Sequence, residues 1–431
     1  MLFCVQTIFV TILLLAVPAG LYLLGRRSAP QIFRRLAYET HLWLGIVSSL
    51  VLFIVCLSGT ALTFKTEMIM FFEQNRYCVH TSDTAVPKSL AELVPLIEKA
   101  EKGKVVRITI PADKKQAWIF NVKKEDTGGA KLPAGMPPAV HAMLGTACLV
   151  NPYTGESPGL QRSSLYMFFM MLTFLHRFLL LDIRTGQIIV GSATLIFLVL
   201  VAGGLCLWFP PKLRVLKAWL LGMKIRTKGG WGKFLFDLHN TLGFYALIPV
   251  TIMALTGPVI SFGWYRSAVE KALGAKPFGR LLEKPVVSKG AAASVSFLTI
   301  DDFLVKGNAM TQRKGMIRIS LPQSPDGSVT YQKIGAGFCE LAAVDKIQFD
   351  RYTGEVLKSD LFDDIPFNEQ IASLIFPLHT GEIFGTVSKV IYFTACLIAA
   401  SLPVTGLFLW GRKLRSRYIK SRRLRQDKLS P

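Results

Sequence analysis

The chain reads as an α-helical polytopic membrane protein that carries two α+β extracytoplasmic domains and is built from tandem-duplicated halves. Three observations lead there. Apolar runs of membrane-spanning length recur along the 431 residues, 51% of which are hydrophobic, so a water-soluble core is the wrong frame. The formal charge of +22 is gathered into three segments with almost no acid, Arg26 to Arg35, Lys212 to Lys233 and Arg412 to Lys428. The stretch His41 to Phe64 recurs at His239 to Phe262, with a glycine four residues after each histidine (Gly45, Gly243), another eighteen after (Gly59, Gly257) and a phenylalanine twenty-three after (Phe64, Phe262).

Basic residues next to spans mark cytoplasmic loops, so the three basic segments are expected inside and the regions of mixed charge, Lys65 to Arg162 and Arg266 to Asp364, outside. Nucleic-acid binding is excluded because the basic residues flank spans and form no aromatic-basic face. The seven cysteines have no C-x-x-C spacing, which argues against a zinc knuckle or a thioredoxin-like motif. Cys4, Cys56, Cys206 and Cys396 fall in apolar runs; Cys78, Cys148 and Cys339 fall outside, where a Cys78 to Cys148 disulfide is open.

In chain order, residues 1–27 hold an apolar run, Leu2 to Leu24, with no positive charge before it and Arg26-Arg27 behind it. This is expected to be a retained helix with its amino terminus outside. Residues 33–64 cross outward. Residues 65–162 form the first outer domain, with helical spacing over Ser89 to Lys102 and strand alternation over Val105 to Pro111 and Gln116 to Val122. Residues 163–211 hold a helix with His176 and a span ending at Trp208, and residues 212–235 the basic loop. The second copy follows: a span over 236–263, expected as one helix through Asp237 to Phe262, an outer domain over 264–366, and a helix with His379 plus a span over 367–411. Residues 412–431 form a basic cytoplasmic tail. Tyr153-Thr-Gly-Glu156 and Tyr352-Thr-Gly-Glu355 close the two outer domains, and Gly204-Leu-Cys-Leu-Trp208 matches Gly406-Leu-Phe-Leu-Trp410. Both halves run the same way through the membrane, so a pseudo-twofold axis along the membrane normal is expected.

Under that symmetry His41 meets His239 near the cytoplasmic face and His176 meets His379 near the outer face. A histidine inside a span is costly, and four of the six in the chain stand at repeat-related positions. Two imidazoles facing each other inside a helical bundle suit the axial positions of a heme iron. Zinc would need carboxylate or thiolate partners that neither site offers nearby. His80 and His141 have no counterparts and read as ordinary polar residues. The glycines read as close-approach positions between helices or against a flat macrocycle.

These residues resemble the PepSY-associated transmembrane proteins, a family that includes periplasmic ferric-siderophore reductases of the bacterial inner membrane. The matching pieces are His41-Leu-Trp-Leu-Gly45, Tyr153-Thr-Gly-Glu156, Leu175-His176-Arg177, Asp237-Leu-His239, Tyr352-Thr-Gly-Glu355, Leu378-His379-Thr-Gly381 and Gly406-Leu-Phe-Leu-Trp410, spread over Phe33 to Arg415. The resemblance implies PepSY-like outer domains, two b-type hemes on His41, His239, His176 and His379, and outward electron transfer to a periplasmic ferric chelate. No flavin or nicotinamide domain is appended, so the donor is expected to be a cytoplasmic or membrane partner, a flavoprotein or a quinol. The alternative is a heme-free membrane protein whose PepSY-like domains bind or inhibit a periplasmic partner such as a peptidase. A transporter is disfavoured because no acidic residue sits mid-span.

Overall fold

A computed structural model describes residues 29–82, 84–124, 146–210, 216–279, 285–288, 298–335 and 343–427. The expected helix Leu2 to Leu24 lies outside the described residues, as do His141 and Cys339. In the first half the helices are α1 (Ala29–Leu62), α2 (Lys65–Phe72), α3 (Gln74–Tyr77), α4 (Leu90–Glu101), α5 (Ser164–Phe178) and α6 (Ile183–Trp208). In the second they are α7 (Leu216–Gly222), α8 (Trp231–Tyr245), α9 (Leu247–Ser261), α10 (Gly263–Leu273), α11 (Ile300–Met310), α12 (Phe367–Thr380) and α13 (Gly385–Asp427). The strands are β1 (Gly103–Ile110), β2 (Trp118–Lys124), β3 (Thr146–Val150), β4 (Gly159–Leu160), β5 (Gly315–Ser320), β6 (Val329–Gly335), β7 (Val344–Phe349) and β8 (Val356–Asp360).

Among the described residues three helices are long and apolar enough to cross a membrane, α1, α6 and α13, and α8 with α9 makes a fourth if the bent pair is one span. The chain is thus a membrane protein with a separate antiparallel sheet. α1 packs against α6 and α13, α8 against α13, and α9 against α6.

The single helix expected through Asp237 to Phe262 is instead two, bent by 65° at Ala246. The cause is Pro249, which stands where the first copy has Val51. A proline has no N–H to give the carbonyl of Tyr245 four residues back, and its ring collides with that carbonyl. An unbroken helix would therefore lose about 3 kcal/mol. Ending α8 at Tyr245 and restarting places Pro249 in the first turn of α9, where no N–H is missed.

The strands expected in two outer domains join into one eight-stranded sheet, ordered β4-β3-β2-β1-β5-β6-β7-β8. Neighbouring strands run antiparallel throughout, and the two halves meet where β1 pairs with β5. One face is closed by α4 and α11: Leu90, Leu93, Ile97 and Phe303 pack with Ile108, Phe120, Ile319, Tyr331, Ile347 and Phe349. On the other face Leu149 and Ile119 rest on Phe169 of α5 and Leu62 of α1, which seats the sheet on the bundle. The two Tyr-Thr-Gly-Glu segments are turns of like construction. Asn151 Oδ1 accepts from the Tyr153 N–H and Asp350 Oδ1 from the Tyr352 N–H, while Gly155 and Gly354 take the positive φ that closes each turn. Cys78 and Cys148 are not joined by a disulfide.

Two side chains tie the parts together across long chain separations. Lys389, near the start of α13, bonds Glu67 of α2 at 2.7 Å and lies 3.5 Å from Glu382. Asp301 of α11 accepts from the backbone N–H of Leu90 and of Ala91 at 2.8 Å each, so a carboxylate of the second half caps a helix of the first. Asp301→Ala is expected to cost about 1 kcal/mol and to speed amide exchange at Leu90 and Ala91 while leaving the membrane helices unchanged. Unaltered exchange at those two amides would show that the cap carries no stability.

Candidate functional site

Four histidines that lie in the helices form two pairs. His41 of α1 and His239 of α8 have ring centres 6.3 Å apart, and His176 of α5 and His379 of α12 have theirs 6.4 Å apart. Each pair takes one residue from each half. The two levels are separated along α1 by the rise from His41 to the Val55–Ser58 turn that touches His176, about 24 Å at 1.5 Å per residue.

Each ring is seated on a helix of its own half. His41 Nδ1 lies 3.0 Å from the Leu200 carbonyl of α6, and His176 Nδ1 lies 2.9 Å from the Val55 carbonyl of α1. His379 Nδ1 lies 3.1 Å from the Met253 carbonyl of α9, and His239 Nδ1 lies 2.8 Å from the Thr405 hydroxyl of α13. A carbonyl only accepts, so three of the Nδ1 atoms must carry hydrogen. The Thr405 hydroxyl already donates to Ser401 and Leu402 carbonyls, so it too accepts from the ring. All four imidazoles are then Nδ1–H tautomers with a lone pair on Nε2, and no Nε2 has a hydrogen-bond partner among the described residues. Fixing a ring through Nδ1–H while Nε2 stays open is how histidine is oriented as a metal ligand.

Glycines let the rings come this close. A Cβ on Gly59 would stand 3.1 Å from His176 Cε1, and one on Gly257 3.3 Å from His379 Cε1; Gly204 and Gly406 do the same for His41 and His239, at 3.3 and 3.5 Å. The other repeated pair, Gly45 and Gly243, meets Leu200 and Leu402 instead at ordinary contact distance. The sequence marks Gly45, Gly59, Gly243 and Gly257 as close-approach positions and Gly204 and Gly406 only as the start of a matching segment, and it assigns no role to the neighbouring hydroxyls. Ser58 and Thr256 precede Gly59 and Gly257, and their oxygens lie 3.2 and 3.1 Å from the Nδ1 atoms of His176 and His379. The hydroxyl-glycine dipeptide at the same place in both copies was the available signal.

Around the His41–His239 level the basic residues are built in. Arg34 donates to the Leu207 and Phe209 carbonyls at the carboxyl end of α6, where a cation is favoured. Asp237, two residues before His239, is 3% exposed and takes Arg226 in a fork, 2.7 Å from Nε and 2.6 Å from Nη2. Trp208 stacks on Phe244 at 3.7 Å and donates to the Gly222 carbonyl, so α7 closes this end. His80 is exposed and lies outside both pairs.

The sequence profile of the PepSY-associated TM region matches residues 38–413. The chain belongs to that family. No curated protein sequence matches it. All four paired histidines and the four ring-seating glycines of this PepSY-associated protein lie within the matched stretch.

The seats make a steric prediction. Gly59→Val should push the His176 ring off Val55 and Ser58 and destabilise the detergent-solubilised protein by roughly 1–3 kcal/mol. Gly45→Ala, whose Cβ would only touch Leu200 at 3.8 Å, should be neutral or slightly stabilising. Equal melting shifts for the two variants would remove the seating role of Gly59.

Proposed function

We propose that the protein is a diheme oxidoreductase of the bacterial inner membrane that passes electrons outward to a periplasmic acceptor, with a ferric chelate as that acceptor. His41 and His239 would hold one b-type heme and His176 and His379 the other. The observation that carries the reading is the pair geometry. Two imidazoles sharing one metal on the line between them, at about 2 Å from each nitrogen, would have ring centres roughly 6.2 Å apart, since each ring centre lies about 1.1 Å beyond its nitrogen. The two separations of 6.3 and 6.4 Å match that figure. The donor set agrees: among the described residues no group of three or more His, Cys, Asp or Glu side chains converges. Each site thus offers two nitrogens and suits a metal whose remaining positions a macrocycle fills.

When bound, heme supplies reversible one-electron chemistry at its iron. The protein's own part is to hold four neutral rings with Nε2 open, at two depths, in a wall of apolar side chains that excludes water. The basic end, with Arg34, Arg226 and the tail of α13, is assigned to the cytoplasm, together with the carboxyl terminus, and the sheet end to the periplasm, together with the amino terminus. With hemes held there, electrons would enter at the His41–His239 level from a flavoprotein or a quinol and leave at the His176–His379 level beneath the sheet. Ferric iron suits this exit because one electron reduces it, and Fe(II) is held less tightly by hard oxygen ligands and is released. PepSY-like sheet halves above the exit are the natural place to receive such a chelate.

The purified protein should show a Soret band. His41→Ala/His239→Ala should keep about half of it and His41→Ala/His176→Ala essentially none, since one variant empties a single site and the other disables both. A protein without any Soret band, or the opposite ranking of the two double variants, sinks the pairing.

Dithionite-reduced protein mixed anaerobically with ferric hydroxamate and ferric citrate should reoxidise as Fe(II) appears in a chelating trap. Heme that stays reduced with every ferric chelate, yet is oxidised by another small acceptor, would remove ferric iron as the substrate.

A further inference from the structure

The seam of the sheet carries two arginines that the electron route leaves unused. In β1 the run Arg107-Ile-Thr-Ile-Pro111 corresponds to Arg318-Ile-Ser-Leu-Pro322 at β5. Antiparallel pairing sets Ile108 opposite Ile319, Arg107 opposite Ser320 and Thr109 opposite Arg318. A twofold relating the two runs therefore passes through the Ile108–Ile319 pair, with one arginine on either side of it. Ile108 and Ile319 face α4 and α11, so the arginines, one residue away along each strand, face the other way.

That other way is toward the bundle. Thr109 pairs with Ile119 and Ile119 with Leu149, and residues opposed across antiparallel strands share a face. Ile119 and Leu149 are the side chains that rest on Phe169 and Leu62. Beyond them the same face turns polar, running from Thr109 through Arg318, Gln332 and Lys346 to Asp360. The sheet thus overhangs the bundle with its arginines beside the seam where the two halves join, and each histidine pair likewise takes one ring from each half.

Neither guanidinium has a carboxylate among the described residues. Arg107 is exposed, and its one hydrogen bond is a long contact of 3.4 Å from Nε to Ser320 Oγ. Arg318 is partly buried, and its Nε has no hydrogen-bond partner among the described residues. Asp360, the acid at the far end of the row, bonds Lys358 at 3.3 Å. Burial first, and the neighbouring Arg107 charge second, push the Arg318 guanidinium below its ordinary pKa. Two like charges on neighbouring strands repel, and an anion that accepts from both would offset that repulsion. Paired guanidinium forks are the side-chain arrangement best matched to carboxylates.

We propose that Arg107 and Arg318 form the seat of the electron acceptor, and that they select a carboxylate-bearing, net-anionic ferric chelate over a neutral one. This rests on the ferric-chelate reading above. The seat lies on the bundle-facing side of the sheet, open to solvent at Arg107 and partly buried at Arg318.

The test is equilibrium dialysis of the full-length protein in detergent against ferric citrate and against a neutral ferric trihydroxamate. Ferric citrate should bind more tightly and loosen as salt is raised. Arg107→Gln and Arg318→Gln should each weaken citrate binding about tenfold, Arg107→Lys and Arg318→Lys by less, and neither series should move the trihydroxamate. Soret absorbance and melting temperature should stay at the level of the unmodified protein, which separates loss of the seat from loss of fold. Heme, when bound, would bring carboxylates of its own. A double Gln variant that loses half its Soret band would assign the arginines to heme and overturn the proposal, as would one that binds ferric citrate unchanged. Dialysis needs no heme, so a protein that binds citrate through these arginines but shows no Soret band fails the electron reading alone.

Discussion

Inside a bilayer an imidazole N–H has no water to turn to, and leaving it unbonded costs several kcal/mol. Each of the four paired histidines meets that demand with a helix oxygen of its own half: Leu200, Val55 and Met253 carbonyls and the Thr405 hydroxyl. Because the bond uses Nδ1–H, it fixes the tautomer, the ring plane and the direction of the free nitrogen at once. The glycines at 59, 204 and 257 follow from it, since a ring bonded to a helix backbone at about 3 Å leaves a side chain beside it little room, and Gly406 lies at the matching place in contact with His239. The packing of α1 on α6, of α5 on α1, of α8 on α13 and of α12 on α9 follows from that bond too, bringing each seating helix beside its histidine.

Each half orients its own rings, but neither completes a pair alone. His41 finds His239 and His176 finds His379 only across the contacts of α1 with α13 and of α6 with α9. The sheet repeats this logic outside the bundle, with β1 and β5 joining the halves and Asp301 capping α4 across the seam. Stability and site geometry thus draw on the same interface. Lys389 extends it by holding α2, which leads into the sheet, to the first turns of α13.

The histidine pairs were legible because the repeat is written in the sequence with almost no change of spacing, and two superimposed copies leave little choice of partner. The strand positions were legible too, from alternation over Val105 to Pro111 and Gln116 to Val122. What could not be read was that these strands belong to one sheet. Pairing of Ile108 with Ile319 depends on tertiary register between segments more than 200 residues apart, which local pattern does not encode. The break at Ala246 has a local cause, Pro249 in place of Val51, but the shared spacing of histidine, glycine and phenylalanine in the two copies points to one continuous span. The hydroxyls of Ser58 and Thr256 were obscured by a different physics. A small polar residue in a span is usually bonded to its own helix, as both of these also are, to Ile54 and Ile252.

The seam has a consequence for the edges of the sheet. β1 and β5 are interior strands only because they cover each other; parted, each would present a row of bare N–H and C=O groups, which is a template for any extended chain. The outer ends, by contrast, finish in β4, two residues long, and β8, whose Lys358 and Asp360 put charge on the rim. The sheet is therefore blunted against strangers at its margins and adhesive only at its middle. Either half on its own would carry an exposed adhesive strand whose natural cover is a second half of the same kind.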